Sequence, residues 1–325
     1  MDQGFMEQVD AYLRHLETDL SASPNTVSAY RNDLTQLCQY LLTASRRSAS
    51  YLALLGTTPE PDGWSEVSRA RLVGFVVALK EKGYATTTVA RKIAALKSFF
   101  HYLHTAGLVA KDPTEALDSP RIDKVTPRGL SHTEVNGLFD QSGGRSAPDD
   151  VRDNAMLRLL YSSGVRVSEL VALNVDDVDL SSGYVRCVNR TGRERIIPLD
   201  PDAILALRQY LETARNALIR RIEEPALFVN RRGDRLTRQG FWLILKDIAR
   251  QAGLSGDVTP QALRHSFAIR LLRDNTDLRA VQELLGHANI TTTQIYIQAT
   301  SRREPEQSAS SRSEMITSRG PLDVI

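Results

Sequence analysis

Long apolar runs are missing from this 325-residue chain. No stretch approaches the roughly 18 consecutive apolar residues that a membrane-crossing helix needs. The opening MDQGFMEQVD is acidic where a secretory leader is basic and then apolar, so a cytoplasmic protein with no membrane partner is expected. Cysteine is scarce as well. Cys38 and Cys187 are the only two; they lie far apart without metal-ligand spacing, so neither a disulfide framework nor a zinc site is indicated, and both read as small core residues. Lysine supplies only seven of the 41 basic residues, the other 34 being arginine. The planar fork of arginine matches phosphate oxygens two at a time, although GC-rich coding DNA produces the same excess and the net charge is only +2. What is present describes an ordinary soluble globular protein: 42% hydrophobic and 25% charged residues, in a length that suits two domains.

The chain reads as mainly α. Residues 1–118 form a first helical domain. MEQVDAYLRHLETDL carries Val9, Tyr12, Leu13 and Leu16 on one face, and SPNTVSAYRNDLTQLCQYLL continues with Val27, Tyr30, Leu34, Leu37 and Leu41. A polar stretch from Thr43 to Gly63 follows, then two more helices, SRARLVGFVVALKEKG and TTTVARKIAALKSFFHYLHTAG, each closed by a glycine. The second of these opens at a threonine cluster and carries Arg91, Lys92 and Lys97. A helix start with free N–H groups and nearby cations suits a phosphate, which makes Thr87, Arg91, Lys92 and Lys97 candidate DNA contacts. Prolines 113, 120 and 127 mark a linker over 119–127.

The second domain spans 128–300. Ser131 three before Glu134 is a capping box, VRDNAMLRLLYSSG is an apolar helix ending at Gly164, and VSELVALNVDDVDL reads as another helix. GYVRCVN and RERIIPLD form a β-hairpin around Arg190, Thr191, Gly192 and Arg193. Helices at about 203–221, 238–253, 260–273, 277–285 and 292–298 complete it, and a polar tail fills 301–325.

Arg166 follows a helix-ending glycine and precedes Glu169 by three, the spacing of a local ion pair. Arg264 and His265 lie early in a helix capped by Thr259 with Pro260 at its first position. His287 follows the helix-ending Gly286, Tyr296 comes nine residues later, and Thr291, Thr292 and Thr293 read as the cap of the tyrosine's helix. Taken singly, each has a bland structural reading. As an ordered set, SGVRVSELVAL, a hairpin cation, LRH and LLGHANITTTQIY resemble the tyrosine recombinase family, most closely its bacterial Xer branch. The resemblance covers about residues 5 to 298. It implies a SAM-like helical core-binding domain and a mainly-α catalytic domain with a small antiparallel sheet.

The resemblance also implies a chemistry: site-specific cutting and rejoining of double-stranded DNA through a 3′-phosphotyrosyl bond, by a homo- or hetero-tetramer on DNA. Tyr296 would be the nucleophile, Arg166 and Arg264 would hold the phosphate oxygens, and His287 would bond the same phosphate or orient the tyrosine. No carboxylate cluster of the kind that holds Mg²⁺ lies near these motifs, so no metal or other cofactor is expected. Arg193 joins the DNA contacts from the hairpin turn. Two positions depart from the family pattern. Arg190 stands where the family has a lysine that protonates the leaving oxygen, and Gln261 stands where it has a histidine. Arginine is a poor general acid and glutamine exchanges no proton near neutral pH. His265 is expected not to substitute, because adjacent residues on a helix point about 100° apart. A catalytically impaired DNA-binding paralogue and a type IB topoisomerase remain the alternatives.

Overall fold

The computed structural model describes residues 3–47, 61, 63–121, 128–143, 146–189, 192–254 and 258–300. The chain divides into two compact units, Met1–Lys124 and Val125–Ile325. Most of the expected linker, most of the polar stretch before Gly63, Arg190 and Thr191 of the hairpin turn, and the tail from 301 lie outside the described residues. Among those that are described, no helix is long and apolar enough to cross a membrane.

In the first unit, α1 (Gln3–Thr18) and α2 (Pro24–Arg47) precede a 3₁₀ turn at Trp64–Glu66, α3 (Arg69–Glu81) and α4 (Thr86–Thr105). The periodic faces are the buried ones: Val9, Tyr12, Leu13 and Leu16 on α1, and Val27, Leu34, Leu37 and Leu41 on α2. Each such side chain contributes about 1.5–3 kcal/mol on leaving water. Ser23 caps α2, its hydroxyl accepting from the Thr26 N–H at 3.0 Å. That helix runs to Arg47, farther than the polarity of the segment suggests, and the Thr43 hydroxyl turns back to the Gln39 carbonyl rather than ending it. Trp64 fills the centre, its edge against Phe5 and Phe99 at 4.7 Å and its indole N–H on the Phe5 carbonyl.

The second unit contains α5 (His132–Gly143), α6 (Pro148–Ser163) and a short α7 (Val167–Leu170). A three-stranded antiparallel sheet follows in the order β1 (Val178–Asp179), β2 (Tyr184–Val188), β3 (Glu194–Pro198). Next come α8 (Pro201–Gln209), a π turn over Tyr210–Ala214 leading into α9 (Arg215–Leu218), α10 (Arg238–Gln251), α11 (Pro260–Arg273), α12 (Leu278–Leu285) and α13 (Thr291–Thr300). The apolar helix α6 runs through the core, with Met156, Leu157, Leu159 and Leu160 fully buried. Cys38 and Cys187 are buried, unpaired core residues.

The capping box of α5 is present: the Glu134 N–H reaches the Ser131 hydroxyl, and the Ser131 N–H reaches the Glu134 carboxylate. The helix expected over VSELVALNVDDVDL is not. It stops at Leu170, and the chain pairs with the segment around Ala226 instead: the Val175 N–H bonds the Pro225 carbonyl and the Leu227 N–H bonds the Leu173 carbonyl. The Asp177 carboxylate takes the Asn174 N–H. Side chains that compete for backbone groups, followed by a tertiary backbone partner, outweigh the apolar pattern here. The π turn also escapes local periodicity. It accompanies Tyr210 reaching the Leu227 carbonyl and Arg215 reaching the Glu224 and Ala226 carbonyls.

Candidate active site

Two helix ends build the site. α6 ends on Gly164 at φ 58°, and a Cβ there would lie 2.2 Å from the Phe267 ring, so both conformation and space require glycine. Two residues later Arg166 takes extended backbone as the N-cap of α7. α12 ends on Gly286 at φ 62°. The last carbonyls of a helix have no partner within it and carry the negative end of its dipole. At α12 three consecutive carbonyls each receive a different guanidinium: Arg195 bonds Leu284 at 2.9 Å, Arg264 bonds Leu285 at 2.5 Å, and Arg166 bonds Gly286 at 3.0 Å. Arg264 also donates to the Gly164 carbonyl and so ties both helix ends together.

The turn after Gly286 delivers the remaining groups. His287 is held through its backbone: its N–H bonds the Gln282 carbonyl, and the Gln282 side chain donates to its carbonyl. Its Nδ1 lies 2.9 Å from the hydroxyl of buried Thr293. Asn289 takes the Thr291 N–H and starts α13, so the three threonines are not the cap that their position suggests. On α13, Tyr296 is 1% exposed. Its ring lies parallel to His287 at 6.4 Å and tilted against His265 at 5.3 Å, and its hydroxyl is 2.8 Å from His265 Nδ1. His265 therefore reaches the tyrosine hydroxyl. α13 packs against α11 and brings the phenol to it.

Charge in the site is lopsided. Glu169 pairs with Arg195 through two bonds of 2.8 and 2.7 Å and holds Arg166 at 3.3 Å, one carboxylate for three guanidinium groups counting Arg264. Burial alone would raise the Glu169 carboxyl, and the hydrogen bonds from Arg195 and from the Arg166 backbone bring it below its usual value instead. Arg264 falls to about 10 through burial and the neighbouring Arg166, and is still charged at neutral pH. His287 falls to about 4 through burial and then Arg264 and Arg166, which keeps it neutral. Burial raises the Tyr296 phenol, against the opposing pull of Arg264 and Arg166. Surplus positive charge fixed beside a hydroxyl is an arrangement for an anionic ester.

The sequence matches the Phage integrase family over residues 128–303, more than half of the chain, and the N-terminal SAM-like domain of phage integrases over residues 9–107. The chain belongs to the phage integrase family of tyrosine recombinases. Among its relatives, tyrosine recombinase XerC of Roseiflexus castenholzii is 49% identical over 292 residues, covering 89% of this chain and 88% of that one. Tyrosine recombinase XerD of Oceanobacillus iheyensis is 40% identical, covering 91% and 94%. The fold is shared with XerH site-specific recombinase bound to palindromic difH substrate, at TM-score 0.68 and 21% identity over 90% and 92% of the two chains. It is shared also with a lambda integrase dimer on a COC′ core site, at TM-score 0.69 and 17% identity over 92% and 78%.

Of the residues that the sequence singles out in this tyrosine recombinase, Arg166, Arg264, His287 and Tyr296 come together. Gln261 lies exposed one turn before Arg264, and Arg190 is outside the described residues. Arg193 is exposed at the hairpin turn, where its N–H bonds Asn189. In the first unit Thr87 is exposed and Lys97 half-buried. Lys92 departs from its expected role: it is 6% exposed, and its ammonium is 2.8 Å from the buried carboxylate of Asp33, which Arg91 also grips. Desolvation and pairing make Lys92 part of the core rather than a phosphate contact. Arg195, Glu169, Thr293 and His265 complete the site, and apart from the spacing of Glu169 from Arg166 their positions in the sequence give none of them a part in it.

Proposed function

We propose that this chain is a site-specific DNA recombinase in which Tyr296 attacks the scissile phosphate and leaves a 3′-phosphotyrosyl bond with a free 5′-hydroxyl. The Oη–P bond forms as the P–O5′ bond breaks. A second strand's 5′-hydroxyl reverses the exchange, so the bond energy is kept and neither ATP nor metal is called for. Arg166 and Arg264 hold the non-bridging oxygens, each such donor contributing about 10²–10³ in rate. Arg195 and Glu169 keep Arg166 aligned, and His287, fixed by Thr293, borders the same phosphate. Arg190 stabilises charge on the leaving oxygen, while Gln261 offers a hydrogen bond without proton exchange. Thr87, Lys97 and Arg193 contact the DNA backbone, with Arg91 at the edge of that surface. Four copies, of this chain alone or with a homologue, act on two duplexes in the cytoplasm.

The observation that carries this reading is the set of three guanidinium groups fastened to the last carbonyls of α12, next to the phenol that the following turn delivers. Covalent capture tests it: the protein is mixed with fragmented DNA of its own host and denatured in detergent, and protein-linked DNA is recovered and sequenced. Adducts from the native protein that vanish with Tyr296→Phe are expected, and they would share one sequence. Non-covalent binding without any adduct would overturn the reading.

A further inference from the structure

Attack by a phenol requires a place for its proton, and Gln261, in the position where the family's resemblance puts a histidine, cannot accept one. His287 is not placed to do so either. Its Nδ1 is engaged with Thr293, and its ring lies parallel to that of Tyr296 at 6.4 Å rather than directing a nitrogen at the hydroxyl. The side-chain nitrogen in hydrogen-bond contact with the Tyr296 hydroxyl is Nδ1 of His265, at 2.8 Å.

We propose that His265 is the general base of strand cleavage, its Nδ1 taking the phenolic proton of Tyr296 as Oη bonds to phosphorus and returning it when rejoining releases the phenol. This rests on the reading of Tyr296 as the nucleophile. The balance is complete with water as the only other participant. In cleavage the P–O5′ electron pair goes to O5′, which takes a proton from water, while the proton of Oη moves to Nδ1. In rejoining, the attacking 5′-hydroxyl gives its proton to water, the Oη–P bond breaks, and Nδ1 protonates the phenolate.

Geometry and charge agree. His265 is carried by α11, whose start is pinned by the Thr259 hydroxyl on the Ala262 N–H, and Tyr296 comes from α13, 31 residues later. The titratable groups around the imidazole are Arg264 on its own helix, Tyr296 on α13, and His287 on the turn before α13. α6 meets α11 farther along, where Arg270 lies over Tyr161. Burial, and then Arg264, hold the imidazole below its ordinary range, so it is neutral at neutral pH. To serve as the base it carries its hydrogen on Nε2 and leaves the Nδ1 lone pair to accept from the phenol. An arriving phosphodiester adds negative charge and raises the proton affinity of the imidazole at the moment it is used.

The test compares native protein with His265→Asn, which keeps a short polar side chain but accepts no proton. The readout is single-turnover adduct formation on fragmented host DNA across pH, with DNA retention measured in parallel. Expected is unchanged retention with adduct formation slower by about 10²-fold or more near neutral pH. The deficit should shrink about tenfold per pH unit as hydroxide replaces the base. A variant as fast as native, or slower by the same factor at every pH, overturns the proposal and leaves the role of Tyr296 standing. Absence of adduct from native protein sinks the Tyr296 reading, and this proposal with it. Independently of any variant at 265, ¹⁵N-imidazole spectra of the native protein should show His265 Nδ1 unprotonated and shifted by Tyr296→Phe; a proton on Nδ1 would contradict the assignment.

Discussion

Two clusters of buried charge use the same side chains for opposite ends. In the first unit Arg91 and Lys92 converge on Asp33, which is 1% exposed, and among the described residues this is two cations on one buried anion at the junction of α2 and α4. In the second unit Arg166 and Arg195 share one carboxylate, Glu169, and these two together with Arg264 are held by the carbonyls of Gly164 and of Leu284 to Gly286. Carbonyls fix a guanidinium without cancelling its charge. The difference separates cations that fasten two helices from cations kept available for a ligand, although neither composition nor position in a motif distinguishes them.

Breaking each cluster should give different symptoms. Arg264→Ala removes a donor to the phosphate, and adduct formation per folded molecule should fall by about 10³-fold, Arg166→Ala somewhat less; a loss below tenfold in either would deny them the phosphate. Asp33→Asn strands a buried ammonium and should lower unfolding free energy in urea by about 3 kcal/mol while the cleavage rate of folded protein is unchanged. Arg190→Lys supplies a proton donor and should raise cleavage by up to about 10²-fold; abolished cleavage would show that the arginine has a role of its own. In DNA-binding titrations against salt, Arg193→Ala should reduce the log–log slope by about one and Lys92→Met should not change it. The smallest effect concerns His287. Its folded pKa of about 4 lies below the ordinary 6.5, so the unfolded chain binds the proton first and stability declines as pH falls between those values. His287→Gln should flatten that decline in a melting series.

Local chemistry was the legible part of the sequence. Helix faces follow from spacing, and the caps at Ser131 with Glu134, at Thr259 with Pro260, and at Gly164 and Gly286 are decided by residues within one turn. The four site residues Arg166, Arg264, His287 and Tyr296 were legible because their order and spacing match a family. What the sequence hid depends on partners far along the chain. The loss of helix after Leu170 depends on the backbone segment near Ala226, and the role of Arg195 on Glu169 and Leu284. Thr293 has the position of a cap and instead holds His287, and nothing local places α13 beside His265. Lys92 shows the converse error, a cation on a promising helix that a carboxylate 59 positions away had already claimed.

The most direct measurement is to locate the covalent bond itself. Protein–DNA adduct captured from host DNA is digested with nuclease and protease, and the peptide carrying residual nucleotide is sequenced by tandem mass spectrometry. The nucleotide should sit on Tyr296, in the peptide that begins at Ala280 and contains the LLGH turn. A nucleotide on any other residue would contradict the assignment of α13 as the arm that delivers the nucleophile.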